Sequence, residues 1–438
     1  MRSRLFPSSS ATRSLSSPTR ATLAALAVVG LAACGDDNSG ATAPAPAPAP
    51  TLVAQDFQRL LVADGTAPVA RLINLSNDST VDSYTLAGPA SLVYRTTSGR
   101  FAIIQQRAQS RVAFVDAGVW ADASIGHRRA PARVGFELTD GLPTHESVNG
   151  PWISIFFDGN GRAVWMNEAD KLAGAPRIAF EIQTGAPHHS GSATMMVNNT
   201  PFFVVAPFNP TGALPNAVEV RNQSGAVVAR VDNCPSMHGN NAISTGVVFG
   251  CQDGMVLVRA NGATVSATKV TPTGDMAGLG LRNAYSQSGA PFIVGQFSAP
   301  PGQPTQRVLA TIDPVTGAIG RLPALPVDVR DHWRAIEPVK GQIAMLGTNG
   351  TLYVYNGITR TLQHTVANVV PAIAATGALT HQVSMMEDVA AVASPTTGEV
   401  VMVNTVNGTI TRRIRVGGAP SRLTLTGATR SGTYTAAR

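Results

Sequence analysis

Histidines recur along this 438-residue chain at a nearly constant spacing. Neutral imidazole is the commonest protein ligand for zinc, so histidines in a repeating position can build a metal site. The spacings are 44, 49, 94 and 49 residues, and the step of 94 equals two steps of 47 with the intervening position near Asn283. The five histidines in phase, out of eight in the chain, are His145, His189, His238, His332 and His381. This phase indicates a structural repeat that brings them to equivalent places.

Short apolar segments next to these histidines predict that each repeat contains a β-hairpin. "WISIFFDGNGRAVWM" (152–166) and "QIAMLGTNGTLYVYN" (342–356) each join two apolar segments through an Asp-Gly or Asn-Gly turn. Such dipeptides favour the positive φ angles of the type I′ turn in β-hairpins. Hairpins repeated about every 45 residues are typical of a β-propeller. We therefore expect an all-β protein with a single β-propeller over residues 52–430, with eight blades, or seven as the alternative.

A propeller would place the histidines in a ring around its axis. Because an eight-bladed ring is too wide for all five to touch one ion, we expect the ligands to come from adjacent blades. The predicted zinc ligands are His145, His189 or its neighbour His188, and His238. The carboxylates nearest to the recurring histidines in sequence are Glu146, Asp232 and Asp331. Copper or nickel would also accept imidazole ligands, and the alternative to a metal site is that the histidines only hydrogen-bond backbone carbonyls and water.

The N-terminal segment resembles a bacterial lipoprotein signal. Residues 1–33 contain arginines followed by 13 apolar residues (21–33), too few for a stable membrane-spanning helix, which needs about 20. The segment ends in "LAAC" (31–34), which resembles a lipobox and implies cleavage before Cys34 and lipid on its thiol. The alternative is an ordinary signal peptide with a chance cysteine. Residues 34–51 are rich in Ala-Pro, which predicts an extended tether. We expect a periplasmic protein anchored by lipid to the outer membrane, because Gly35 rather than aspartate follows the cysteine.

The net charge of +7 does not indicate nucleic-acid binding. Four of the 33 basic residues lie in the signal segment, and the remaining 29 face 26 acidic residues. The sequence has no basic stripe with interleaved aromatic residues, so we expect no nucleic-acid partner.

Two cysteines remain if Cys34 carries lipid. Cys234 and Cys251 bracket His238 in "CPSMHGNNAISTGVVFGC". In an oxidising compartment two leftover cysteines usually pair, so we expect a disulfide that holds the loop presenting His238. The alternatives are a redox pair, for which the spacing is wrong, and a cysteine–histidine metal site, whose thiols would oxidise there.

Several segments resemble the AztD-type periplasmic zinc metallochaperones of bacteria. They are "GLPTHES…ISIFFDGNGRA" (141–163), "GAPHHSGSA" (185–193) and "CPSMHG…GVVFGCQDG" (234–254). The segment 400–425 resembles the broader YVTN-type propeller repeat. The resemblance implies an eight-bladed propeller that binds zinc centrally, through His145, His188 or His189, and His238. It also implies transfer of zinc to the solute-binding protein of an ABC importer.

The chain departs from that family in residues 117–137. The family has a histidine- and aspartate-rich loop after a "GVW" segment, whereas this sequence keeps "GVW" and offers only His127 among several arginines.

We predict a zinc-binding envelope lipoprotein, a metallochaperone or zinc buffer without catalytic activity. The alternatives are an interaction scaffold without metal and a lactonase-like propeller hydrolase. The sequence contains neither a G-x-S-x-G elbow nor an H-E-x-x-H motif, which disfavours the hydrolases that use them.

Overall fold

The computed structural model describes residues 51–169, 174–300, 302, 307–429 and 433–437. The predicted signal peptide and Cys34 lie outside these residues, as does the predicted tether except for Thr51, which begins the first strand. No helix among the described residues is long and apolar enough to cross a membrane.

Strands make up nearly all regular structure in the described part of the chain. The first twelve are β1 (Thr51–Val53), β2 (Gln58–Asp64), β3 (Val69–Asn74), β4 (Thr80–Thr85), β5 (Leu92–Arg95), β6 (Phe101–Gln106), β7 (Arg111–Asp116), β8 (Val119–Asp122), β9 (Ile125–Arg128), β10 (Ala132–Leu138), β11 (Pro143–Asn149) and β12 (Trp152–Phe157). The next twelve are β13 (Arg162–Asn167), β14 (Phe180–Gln183), β15 (Ser192–Val197), β16 (Thr200–Val205), β17 (Val218–Arg221), β18 (Val227–Val231), β19 (Asn240–Ile243), β20 (Gly246–Cys251), β21 (Gly254–Asn261), β22 (Thr264–Val270), β23 (Gly280–Tyr285) and β24 (Ile293–Ser298). The last twelve are β25 (Arg307–Ile312), β26 (Ile319–Arg321), β27 (Asp331–Ile336), β28 (Gln342–Gly347), β29 (Leu352–Asn356), β30 (Thr361–Val366), β31 (Val383–Met386), β32 (Val389–Ser394), β33 (Glu399–Asn404), β34 (Thr409–Arg415), β35 (Pro420–Gly427) and β36 (Thr433–Ala436). Short 3-10 helices span Ala54–Phe57, Arg107–Gln109 and Gly274–Met276.

Eight four-stranded antiparallel sheets in the described residues have the order of propeller blades. Sheets 1 to 8 are, in order, β5-β6-β7-β10, β11-β12-β13-β14, β15-β16-β17-β18, β19-β20-β21-β22, β23-β24-β25-β26, β27-β28-β29-β30, β31-β32-β33-β34 and β35-β2-β3-β4. The first strands of neighbouring sheets contact one another, as β11 does β15 and β35 does β5, so these strands line the centre. The prediction of an all-β propeller is confirmed.

Alternation along each strand explains how the sheets pack into a ring. In β12, Ile155 and Phe157 face the core shared with sheet 1, whereas Phe156 faces the core shared with sheet 3. Successive side chains of a strand point to opposite faces, so one apolar strand supplies two inter-sheet cores. Leu60 and Leu61 in β2 divide in the same way between sheets 7 and 1, and apolar cores therefore continue around the whole ring.

The ring is closed by strands from both ends of the described chain. β35 pairs antiparallel with β2 across Leu60 and Leu425, which completes sheet 8. The pairing covers an otherwise open strand edge, and exposed edges promote aggregation.

A ninth sheet was not predicted. It has the order β1-β36-β9-β8, with β36 parallel to β9, and so contains two strands from residues 117–137, the segment of His127. His127 in β9 stacks on Trp120 with ring centroids 4.8 Å apart, and its Nε2 lies 3.1 Å from the carboxylate of Asp122. His127 is thus engaged within its own hairpin.

We expect the free energy of unfolding to depend on pH through Glu387, a buried carboxylate between β31 and β32. Burial, together with the neighbouring carboxylates of Asp388 and Glu337, raises the pKa of Glu387 to about 7. The folded state therefore holds this proton more tightly than the unfolded state, and the contribution to stability is lost as pH rises toward and through 7. Glu387→Gln is expected to raise the free energy of unfolding by about 1 kcal/mol at pH 8 and to leave it nearly unchanged at pH 4.

Urea unfolding at both pH values measures this difference. Asp275→Asn, at a carboxylate that is 67% exposed, is the matched control and should change stability at neither pH. If Glu387→Gln were stabilised equally at pH 4 and pH 8, the gain would not come from the titration of Glu387.

Candidate metal centre

Three of the recurring histidines meet at one end of the central channel. His145 lies near the start of β11, His189 three residues before β15, and His238 two residues before β19. These strands are the innermost ones of sheets 2, 3 and 4, which are neighbours in the ring. The constant spacing in the sequence thus arises because each histidine precedes or begins an innermost strand.

The three imidazole rings are in mutual contact. Ring centroids are 4.7 Å apart for His145 and His189, 5.1 Å for His189 and His238, and 6.1 Å for His145 and His238. The Nε2 atoms of His145 and His189 are 3.1 Å apart and share a hydrogen bond, whose proton zinc would displace. Two imidazole nitrogens on one tetrahedral zinc would lie about 3.3 Å apart, given Zn–N bonds of about 2.0–2.1 Å.

Hydrogen bonds on the other side of two rings fix their tautomers. The Nδ1 atom of His189 donates to Oδ2 of Asp158 at 2.8 Å, and Nδ1 of His238 donates to the carbonyl oxygen of Arg282 at 2.9 Å. A neutral ring that donates from Nδ1 carries its lone pair on Nε2. Such outer partners are the usual arrangement behind a metal-binding histidine.

Burial keeps His145 and His238 unprotonated. Burial, with the adjacent His189 and His238, lowers the pKa of His145 to about 3. Burial also lowers the pKa of His238, although its hydrogen bond to the Arg282 carbonyl acts in the opposite direction. Both rings are therefore neutral near pH 7, as metal ligation requires.

The donor set suits zinc, but the rings must adjust to hold it. Among the described residues, no group of three or more His, Cys, Asp or Glu side chains already has the arrangement of a bound metal ion. Only His145 and His189 have their Nε2 atoms at ligand spacing. His238 would therefore have to move toward the other two rings to supply a third nitrogen.

The disulfide holds the segment that carries His238. Cys234 and Cys251 are bonded and fully buried, as the sequence predicted. The His238 N–H donates to the carbonyl of Gly250 at 3.0 Å, and the Gly250 N–H donates to the carbonyl of Gly239 at 2.8 Å. These bonds place the histidine segment alongside the end of β20, so its backbone is fixed next to the channel.

Asp158 was missed by the sequence analysis, which considered only carboxylates adjacent to the histidines. It follows β12 in the turn "DGNG", and the register places Phe157 opposite Pro143, two residues before His145. Burial alone would raise the pKa of Asp158, but the hydrogen bond from His189 and the charge of Arg107 hold it below its usual value. The carboxylate is therefore ionised behind His189. An antiparallel pairing of the segment that contains His145 with the first strand of the predicted hairpin would have placed Asp158 near His145.

His188 does not join the three histidines. Its ring packs edge-on against Phe156 and Phe208, and its Nδ1 donates to the carbonyl of Ala186 at 2.7 Å. The sequence admitted either His188 or His189, and the structure brings His189 to the cluster, since adjacent residues direct their side chains to opposite sides. His188 is a packing residue between sheets 2 and 3.

The other two histidines in phase form a separate pair. His332 and His381 have ring centroids 5.3 Å apart, and Nε2 of His332 accepts the backbone N–H of His381 at 3.1 Å. Nδ1 of His381 donates to the carbonyl of Leu379. Since Nε2 of His332 is engaged with backbone, this pair fits the alternative prediction of structural hydrogen bonding.

The three carboxylates named from sequence lie elsewhere. Glu146 lines a channel cavity of about 130 Å³, and burial raises its pKa to about 8. Asp232 pairs with Arg230, and Asp331 pairs with Arg334.

Comparisons with known proteins agree with this architecture. No protein-family model matches the chain. Over 303 residues it is 27% identical to the zinc chaperone AztD of Citrobacter koseri, a match that covers 66% of this chain and 67% of that protein. The resemblance inferred from the quoted motifs is confirmed by this match.

Solved structures show the same fold. Two structures of Citrobacter koseri AztD, one of the apo protein, each superpose with a TM-score of 0.74 at 19% identity and cover 87% of this chain and 99% of theirs. The dihydro-heme d1 dehydrogenase NirN is more distant, with a TM-score of 0.51 at 11% identity over 86% of this chain and 77% of that one.

Proposed function

We propose that this protein binds zinc between His145, His189 and His238 and acts as a zinc chaperone or buffer. The observation that carries the proposal is the pair of Nε2 atoms of His145 and His189, 3.1 Å apart, with His189 held from behind by Asp158. The similarity to a protein named as a zinc chaperone supports the same function and supports a protein without catalytic activity.

Zinc titration of the full-length protein in detergent tests this proposal. We expect one ion to bind with a dissociation constant below about 1 μM, since a chaperone must compete with weak ligands. Competition with copper and nickel would establish the preferred metal, because copper binds nitrogen ligands more tightly by intrinsic affinity. Absence of binding below that concentration would refute the proposal.

We further propose that the bound zinc passes to the solute-binding protein of an ABC importer. An open position in a three-nitrogen site allows an incoming ligand to attach before the first ligands leave. Mixing the zinc-loaded protein with a metal-free zinc-binding protein of this class should transfer the ion faster than release to buffer does. Equal rates would contradict direct transfer.

The location is also proposed. The lipobox-like sequence at 31–34 supports a lipid anchor on Cys34 in the periplasm, attached to the outer membrane. Cys34→Ala should move the protein from the membrane fraction to the soluble periplasmic fraction.

The carboxylate behind His189 gives a direct prediction for affinity. Asp158→Asn keeps the size of the side chain but removes the negative charge that accepts the Nδ1 proton of His189. We expect zinc affinity to fall about tenfold to a hundredfold, the usual effect of losing such a partner. Competition with a fluorescent chelator measures it, and Asp253→Asn, at an exposed surface ion pair with Lys269, is the control. Unchanged affinity in Asp158→Asn would show that this carboxylate does not support the site.

A further inference from the structure

Arg107 links two parts of the histidine cluster from a neighbouring sheet. It begins the 3-10 helix after β6 of sheet 1, and its Nη2 donates to Oδ2 of Asp158 at 3.0 Å. Its Nη1 donates to the carbonyl of Leu142 at 2.9 Å and to the hydroxyl of Thr144. One guanidinium thus contacts both the carboxylate behind His189 and the segment that leads into His145.

The carboxylate of Asp158 accepts hydrogen bonds from two donors. Oδ2 accepts from both His189 and Arg107, whereas Oδ1 is buried and has no partner among the described residues. A carboxylate behind a ligating histidine strengthens that ligand. A guanidinium on the same oxygen opposes this effect, because its positive charge draws on the same electron density.

The charge of Arg107 also acts on the cation itself. The side chain is 38% exposed, so part of its field is screened by solvent, but it reaches the oxygen that supports the site. A positive charge within hydrogen-bond distance of the carboxylate behind His189 also repels a divalent cation bound at the cluster.

We propose that Arg107 is a positioning residue that lowers the zinc affinity of the cluster and so favours release of the ion. This inference rests on the proposed zinc-binding function. Arg107 orients Asp158 and the Thr144 segment while its charge opposes the bound cation. The site is thereby ordered before zinc arrives but holds the ion less tightly than the same ligands would without the arginine.

Two substitutions distinguish the effect of the charge of Arg107 on zinc affinity from the effect of its hydrogen bonds. Arg107→Gln removes the charge and is expected to tighten zinc binding about tenfold, with slower release to a chelator. Arg107→Lys keeps the charge and should retain nearly the affinity of the unaltered protein. The matched control is Arg111→Gln, which lies in sheet 1, is 43% exposed and pairs with Glu137 away from the cluster; it should not change zinc affinity.

Salt supplies a readout that a purely structural role would not affect. The affinity difference between the unaltered protein and Arg107→Gln should narrow between 0.05 and 1 M salt, because exposed charges are screened over about 3 Å at 1 M. In an Asp158→Asn background the gain from Arg107→Gln should shrink, since part of the effect acts through that carboxylate.

The outcomes distinguish this inference from the proposed function. If the unaltered protein binds no zinc, the proposed function fails. If it binds zinc but Arg107→Gln, shown to be folded by its thermal unfolding, binds equally or more weakly, the role of Arg107 is wrong. Weakened binding in both Arg107→Gln and Arg107→Lys would assign the residue a structural role only.

Discussion

Replacing both His145 and His238 by alanine should weaken zinc binding at least about a hundredfold, because direct ligands contribute more than the outer partners whose loss costs about tenfold to a hundredfold. The two rings come from different sheets and lie with centroids 6.1 Å apart. Losing both leaves His189 as the sole imidazole of the cluster. Competition with a chelator of known affinity measures the change, and the melting temperature without zinc shows whether the variant remains folded.

Two control substitutions make this experiment specific. His364→Ala removes a half-buried imidazole in β30, whose Nε2 donates to the carbonyl of Val406, and should leave zinc binding unchanged. His332→Ala removes the acceptor for the His381 amide and should lower stability without changing zinc affinity. An equal loss of affinity in His332→Ala and in the double variant would instead mean that the separate pair contributes to the same site.

Removing the disulfide is expected to have the largest effect on stability. Cys234 and Cys251 close a loop with a sequence separation of 17 residues, for which the chain-entropy model gives about 3 kcal/mol. Both cysteines are replaced by alanine, because serine would bury two unpaired hydroxyl groups. We also expect zinc affinity to fall about tenfold, because the backbone before His238 loses its covalent link to β20.

Urea unfolding of the double alanine variant measures the stability change, and chelator competition measures zinc affinity. Asp275→Asn, at a carboxylate that is 67% exposed, is the control and should change neither the stability nor the zinc affinity. An unchanged urea midpoint would contradict the stabilising role of the bond. Lower stability with unchanged zinc affinity would show that the backbone hydrogen bonds to Gly250 are sufficient to hold His238.

The repeat could be predicted because it depends on local patterns. The turn "DGNG" and the short apolar segments on both sides of it indicate a hairpin without reference to any other part of the chain. Histidines at the same offset before successive hairpins are then expected to lie in neighbouring sheets of a ring. Pairing of Cys234 and Cys251 followed from the number of cysteines left in an oxidising compartment.

The ninth sheet and the supports of the site could not be predicted in this way. β36 reaches β9 from the far end of the chain, and Arg107 reaches Asp158 from another sheet. Neither contact has a local sequence signal, since each depends on how separate sheets are placed in the ring.

By itself, the sequence determined that hairpins recur, that the fold is all-β, and that His145, His189 or His188, and His238 come from consecutive repeats. Tertiary structure decided which histidines meet: His189 turns toward the cluster, His188 packs between Phe156 and Phe208, and His332 bonds the backbone of His381. The physical reason is that spacing along the chain fixes the position of a residue in its repeat. The direction of its side chain and the partner behind it depend on the packing of neighbouring sheets.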